Sequence, residues 1–266
     1  MKHKKFAISI KGGAAKGLGA IGVVRLFQEE SLQPEVIAGS SAGAIVAAMY
    51  TVGMKWFEMS RFVSQFKLLK MVNIRSIIKG SSVIGEQNLR EIFSNYFDPD
   101  LRLEDLPNKL VIFTSNPKTN TRVYITKGNL ITALMASMAY PVILPSPVNH
   151  SGQYLIDGDL TSSYSTSYLK TYGVESVIGI RSQSPIPNLR KNAGYLSKIN
   201  KVYGMLKDGI GINADLADPC DYEIVFNPKG QSLLNFGGVG DTSDRVYAQA
   251  LTHKSDIFKV LDVSAD

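Results

Sequence analysis

The sequence predicts a three-layer α/β fold with a mainly parallel central sheet, and three observations carry that prediction. The first fifty residues alternate strand, tight loop, helix, strand, turn and helix. The candidate strands Phe6–Ile10, Val36–Ala38 and Val174–Ile180 are short, nearly continuous apolar runs, as strands buried on both faces are. The chain is 44% hydrophobic and 20% charged, ordinary values for a globular protein with a substantial core.

Phe6-Ala7-Ile8-Ser9-Ile10 ends at a glycine pair and reads as a first strand. Gly12 to Ala15 reads as a tight loop. From Gly17 to Glu30, Leu18, Ile21, Val24 and Phe27 recur at near-helical spacing, which predicts an amphipathic helix. After Pro34, Val36-Ile37-Ala38 is a second strand. Ser41 to Val52 is an alanine-rich helix stopped by Gly53. Further helices are predicted over Trp56–Leu69, Glu86–Tyr96, Asn129–Met138 and Arg245–Leu261. Further strands are predicted over Leu110–Ser115, Arg122–Ile125, Tyr154–Ile156, Val174–Ile180 and Tyr222–Phe226. Pro141 to Pro147 cannot be regular helix, and the signals weaken after Ser182. With no internal repeat and no low-complexity linker, residues 1–266 are expected to form a single domain.

The formal net charge is +6, which favours anionic partners such as a membrane surface. Lys2, Lys4, Lys5, Arg190, Lys191, Lys198 and Lys201 are the candidate docking residues. A single cysteine, Cys220, rules out an intrachain disulfide or a cysteine-built zinc site, and it reads as structural. The apolar run after the basic N-terminus is interrupted at Lys11, too soon for the roughly 7–15 residues of a signal segment. No stretch approaches the roughly 18 apolar residues of a membrane span. A cytoplasmic protein, soluble or peripheral at a membrane surface, is the expectation.

Three segments carry chemistry. Gly39-Ser40-Ser41-Ala42-Gly43 matches G-x-S-x-G between a predicted strand and a predicted helix, the context of a nucleophile elbow. The turn is so sharp that the flanking residues must be small, as they are here. It would set the Ser41 hydroxyl at the positive end of the following helix. The plainer alternative is a serine that only caps that helix. Gly12-Gly13-Ala14-Ala15-Lys16-Gly17 follows the first strand, and its small residues can aim backbone N–H groups into open space. The dinucleotide fingerprint fails at Ala14, and no Gly-Lys-Ser/Thr follows, so neither nucleotide-loop pattern is met. An oxyanion hole built on Gly12, Gly13 and Ala14 is the better reading. No nucleic-acid partner is expected.

A serine nucleophile needs a proton acceptor. The histidines are His3, His150 and His253. His3 lies in the basic tail, His253 in the last predicted helix, and His150 ahead of the plausible acid, against the Ser–acid–His order of α/β-hydrolases. A carboxylate acting directly on the serine remains. Asp157, at the end of Tyr154–Ile156 and followed by Gly158, is the best placed, although an Asp-Gly after a strand is often only a turn.

Glycine loop, G-x-S-x-G elbow and Asp-Gly segment, in this order, resemble the patatin-like phospholipases. The resemblance covers residues 1–180 well, including Ala20-Ile21-Gly22-Val23 and Asn129–Ser146, and residues 181–266 loosely. It implies a patatin-like fold, a Ser–Asp dyad of Ser41 and Asp157, and a lipid acyl ester hydrolase of phospholipase A or lysophospholipase type working through an acyl-enzyme. It implies that the N–H groups of Gly13 and Ala14 hold the oxyanion, with Gly12 shaping the turn. It places Lys16 near a substrate phosphate or carboxylate, and it requires no metal or organic cofactor. Two positions depart from the family pattern. Ala14 stands where a third glycine is common, and Asp159 stands where Gly or Ala follows the Asp-Gly pair. Asp159 is expected to point to the opposite face from Asp157. Met54, Trp56, Phe57 and Met59 read first as core and second as the wall of an acyl groove. The rival functions are an acyltransferase or thioesterase on a related fold, and a catalytically weakened lipid- or anion-binding module marked by Ala14 and Asp159.

Overall fold

The computed structural model describes residues 2–65, 85–140, 148–161, 164–183, 213–228 and 239–264, together with residues 198, 201 and 205. The expected helical stretch beyond residue 65, the proline segment 141–147, and Arg190 and Lys191 lie outside these residues.

Eight strands form one mixed sheet: β1 (Phe6–Ile10), β2 (Val36–Ser40), β3 (Lys109–Asn116), β4 (Thr121–Ile125), β5 (Val148–His150), β6 (Gln153–Asp157), β7 (Ser176–Ser182) and β8 (Tyr222–Phe226). Their order is β5-β6-β3-β2-β1-β7-β8, with β4 also paired to β3. The five strands β3, β2, β1, β7 and β8 run parallel to their neighbours, while β4, β5 and β6 join antiparallel. The expected mainly parallel α/β sheet is what forms.

The apolar strands divide their residues between two faces. Ile8, Ile10, Ile37, Leu110, Ile112, Ile178 and Ile180 belong to the larger core cluster. Ala7, Val36, Ala38, Val111, Phe113 and Val177 belong to a smaller one. Period-two alternation between two covered faces is why these runs read as continuously apolar in sequence.

The larger cluster is covered by α2 (Ala20–Glu29), α3 (Ala42–Thr51), α4 (Trp56–Gln65), α5 (Glu86–Ser94), α6 (Leu130–Ser137), α8 (Val239–Thr252) and α9 (Lys254–Leu261). The smaller cluster is covered, among the described residues, by α7 (Thr166–Lys170) and the turn that follows it, through Leu169 and Val174. A short α1 (Ala14–Gly17) precedes α2. Among the described residues no helix is long and apolar enough to cross a membrane.

The helix expected over residues 17–30 forms only from Ala20, as α2, and a separate short α1 takes up Ala14 and Ala15, the end of the expected tight loop, with Lys16 and Gly17; Leu18 and Gly19 lie between the two. The glycines here answer to close packing across the fold. A Cβ on Gly19 would lie 2.9 Å from the Phe226 ring, and one on Gly22 would overlap the Ser243 carbonyl oxygen of α8. The last helix begins earlier than its periodicity suggests, at Val239, and is interrupted at His253. The three-residue β5, the five-residue α7 and the helical turn at 213–217 have no signal in the sequence pattern. Each is too short to establish a period.

Candidate active site

The site lies at the C-terminal ends of β1 and β2, where open α/β sheets bind ligands. β2 ends at Ser40, and α3 begins at Ala42, so Ser41 must turn the chain within one residue. It does so at φ 51° and ψ −125°, a conformation that costs a non-glycine residue about 1–3 kcal/mol. The surroundings hold it there. Ser41 N–H donates to Ser137 Oγ at 2.9 Å, and the Ser137 hydroxyl donates to the Phe113 carbonyl at 2.7 Å. A Cβ on Gly39 would lie 2.6 Å from the Gly43 backbone, and one on Gly43 would overlap the Ile10 carbonyl oxygen. Both glycines of the elbow are therefore needed for close approach. Ser41 occupies the cap position of α3, yet its hydroxyl makes no capping bond. The capping alternative accordingly loses its support.

Register along β3 delivers the acid. Phe113 pairs with Ser40 of β2 and with Tyr124 of β4, so β2 and β4 lie on opposite edges of β3. Thr114 pairs with Val123 of β4 and with Asp157 of β6, so β6 lies on the β2 edge. Ser40 and Asp157 thus occupy consecutive places on one edge of β3. There β2 and β6 meet end to end, and both chains turn away. Gly158 makes the turn possible, because a Cβ there would overlap the Phe113 carbonyl oxygen. Asp157 is buried, its N–H donates to the Ala139 carbonyl at 3.2 Å, and its carbonyl accepts from the Ser115 hydroxyl at 2.9 Å. Asp157 Oδ1 accepts the Asp159 N–H at 2.8 Å, capping the 3-10 turn Gly158–Leu160. Its charge raises the Tyr140 hydroxyl pKa in addition to the larger effect of burial.

Asp159 does not point away. It is 4% exposed, and Oδ1 accepts from the Ser40 hydroxyl at 2.5 Å and from Gly12 N–H at 3.1 Å. Gly12 N–H also reaches Ser40 Oγ at 3.3 Å. A Cβ on Gly12 would lie 2.7 Å both from Asp159 Oδ1 and from Ser41 Cβ. Residues i and i+2 share a side of a strand, and the 3-10 turn carries Asp159 onward over the glycine loop. Nothing in the one-dimensional pattern signalled this contact. The only trace was an acidic residue where the family pattern has a small one.

Gly12, Gly13, Ser40, Ser41, Asp157 and Asp159 therefore converge. Gly13 adopts φ 141°, a value glycine tolerates, and leads into α1. The Gly12 amide is engaged internally, which leaves the next amides, of Gly13 and Ala14, to follow the turn. Lys16 lies half-buried in α1, and among the described residues no carboxylate pairs with it.

The histidines are occupied elsewhere. His3 packs edge-on to Phe6 at the opposite end of β1. His150 is buried at the far end of the β5–β6 hairpin, and a Cβ on Gly128 would lie 2.8 Å from its Nε2. Burial holds its pKa below the usual value, opposed by the Glu104 charge. His253 Nδ1 shares a 2.8 Å hydrogen bond with the Tyr222 hydroxyl. Cys220 is half-buried, and burial pushes its thiol up to about 11, which suits a structural residue. Of the proposed groove residues, Met59 is core, Trp56 lies against the Arg25 guanidinium, and Phe57 is half exposed.

At the rim, Lys11 pairs with Asp215 and lies 4.4 Å from the centre of the Tyr164 ring. The Tyr164 hydroxyl donates to Glu223 at 2.5 Å, and Glu223 pairs with Arg181 at 2.8 Å. These bonds tie the 213–217 turn and the segment after the 3-10 turn to the ends of β1, β7 and β8.

Residues 8–169 match the family model described as patatin-like phospholipase. A lysophospholipase NTE1 of Pyricularia oryzae is 24% identical over 185 residues, 66% of this chain and 12% of that protein. An uncharacterized NTE family protein of Mycobacterium tuberculosis is 25% identical over 159 residues, 59% of this chain and 43% of that protein. The chain thus spans less than half the length of these relatives. The crystal structure of VipD from Legionella pneumophila superposes with a TM-score of 0.58 at 14% identity, covering 95% of this chain and 67% of that one. That likeness concerns the fold.

Proposed function

The chain belongs to the patatin-like phospholipase family, and from that premise we propose that it hydrolyses lipid acyl esters with Ser41 as nucleophile and Asp157 as base. The observation that supports the reading is the end-to-end meeting of β2 and β6 on one edge of β3, where Asp157 follows Ser40, the residue that leads into the strained, non-capping Ser41. In this mechanism Asp157 takes the Ser41 proton as Oγ attacks the ester carbonyl. The amides of Gly13 and Ala14 hold the charge that develops on the carbonyl oxygen. Asp157 returns the proton to the departing alcohol, which leaves the acyl group on Ser41. Water, deprotonated by Asp157, then releases the acid.

Phospholipid and lysophospholipid are the first substrates to try, with Lys16 beside a headgroup phosphate or carboxylate. The test is hydrolysis of a short-chain ester together with fluorophosphonate labelling. Ser41→Ala is expected to lower turnover by at least about 10³-fold and to abolish labelling. Wild-type turnover no higher than that of Ser41→Ala would refute the assignment. The basic balance further suits docking on anionic membrane through Lys2, Lys4 and Lys5. Retention on vesicles should rise with anionic lipid and fall with salt; retention indifferent to both would refute docking.

A further inference from the structure

We infer that Asp159 is a positioning residue that locks the glycine loop to the nucleophile elbow. The inference rests on the assignment of Ser41 and the loop amides given above. Three segments distant in sequence meet at one carboxylate. Asp159 Oδ1 takes Gly12 N–H, the first amide of the loop, at 3.1 Å. The same oxygen takes the hydroxyl of Ser40, the residue before the nucleophile, at 2.5 Å. Its own N–H is held by the carboxylate of Asp157 at 2.8 Å. Dyad segment, loop and elbow thus share one chain of hydrogen bonds, buried from water.

Two consequences follow. First, the Gly12 amide is oriented inward, toward Asp159 and Ser40, which fixes the path on which the amides of Gly13 and Ala14 follow. An Ala14 in place of glycine leaves that loop with less backbone freedom, so its pose must be imposed from outside. Second, the bond from Asp159 N–H orients the Asp157 carboxylate, and so couples loop position to base position. A buried carboxylate beside an oxyanion site opposes the developing charge. It is tolerable because its bonds run to Gly12 and Ser40, and charge-assisted bonds of this kind are stronger than neutral ones.

The test compares Asp159→Ala, Asp159→Asn and wild type in three readouts: the kcat and KM for a short-chain ester, thermal midpoint, and hydrogen exchange at the Gly12 amide. Asp159→Ala is expected to lower kcat by about 10²-fold with KM little changed, the cost of misplacing groups by about 1 Å. Asp159→Asn keeps an acceptor oxygen and is expected to recover most of that loss. Gly12 exchange should be slow in wild type and Asp159→Asn and fast in Asp159→Ala. Turnover of Asp159→Ala equal to or above wild type would overturn the inference, the latter marking Asp159 as an inhibitory charge. So would equal Gly12 exchange in all three proteins. If Asp159→Ala does not fold, loss of kcat in Asp159→Asn with unchanged Gly12 exchange would overturn it. A wild type whose turnover survives Ser41→Ala refutes the nucleophile assignment instead, while amide exchange still decides whether Asp159 holds the loop.

Discussion

At the scale of single residues, the site depends on a few side chains held against their local preferences. Ser41 sits at positive φ although it is not glycine, because Ser137 and the two elbow glycines leave its backbone no other path. Asp157 carries the more demanding expectation. If it is the base, Asp157→Asn removes proton acceptance while an amide oxygen can still receive the Asp159 N–H. Turnover should then fall by about 10³-fold or more with the thermal midpoint nearly unchanged. Near-normal turnover of Asp157→Asn would move the base elsewhere, although His3 lies at the opposite end of β1, His150 at the far end of the β5–β6 hairpin and His253 against Tyr222. Ser41 was legible in the sequence because the elbow is a local motif. Asp157 was legible only through its place after a strand and through the family pattern. The inward turn of Asp159 was not legible, because its partners Gly12 and Ser40 are more than a hundred residues away in sequence.

At the scale of elements, strands and longer helices followed their periodicity, and their ends did not. Gly19 and Gly22 answer to Phe226 and Ser243, distant residues against which a Cβ would clash and which no window over 17–30 contains. The ends of β7 and β8 are joined by Arg181 and Glu223, with Tyr164 closing the group. Burial raises the Glu223 pKa, but hydrogen bonds from Arg181 and Tyr164 and the nearby positive charges outweigh it, and the net shift is downward. A carboxylate lowered in the folded state stabilises fully above its ordinary pKa and loses that contribution as pH falls through the lowered value. Glu223→Gln should therefore lower the thermal midpoint at neutral pH, and the difference from wild type should shrink in acid. A difference that stays constant from neutral pH to about pH 3 would show that the charge is not what matters. Arg181 and Glu223 are partly exposed, so solvent screening keeps the effect modest.

At the scale of the whole molecule, one sheet runs from β5 to β8, and the larger core cluster draws on both ends of the chain, from Phe6 to Leu261. The loosely matched C-terminal part thus contributes β8, α8 and α9 to the same core as the well-matched part. We propose on this ground that residues 1–266 form one cooperative unit. Calorimetry should show a single transition whose van't Hoff and calorimetric enthalpies agree. Two transitions, or a calorimetric enthalpy well above the van't Hoff value, would divide the chain.

What the sequence by itself determined is the layered α/β class, the glycine loop, and the elbow with its serine. Each of these is written in contiguous residues, where periodicity, turn sterics and hydrophobic burial act locally. Tertiary structure alone decided where the Asp-Gly segment lies relative to the elbow. β6 enters antiparallel on the same edge of β3 that β2 has just vacated, and that register puts Asp157 next after Ser40. It also decided that Asp159 turns inward, since its bonds to Gly12 and Ser40 exist only once the sheet has brought three separate chain segments to one point.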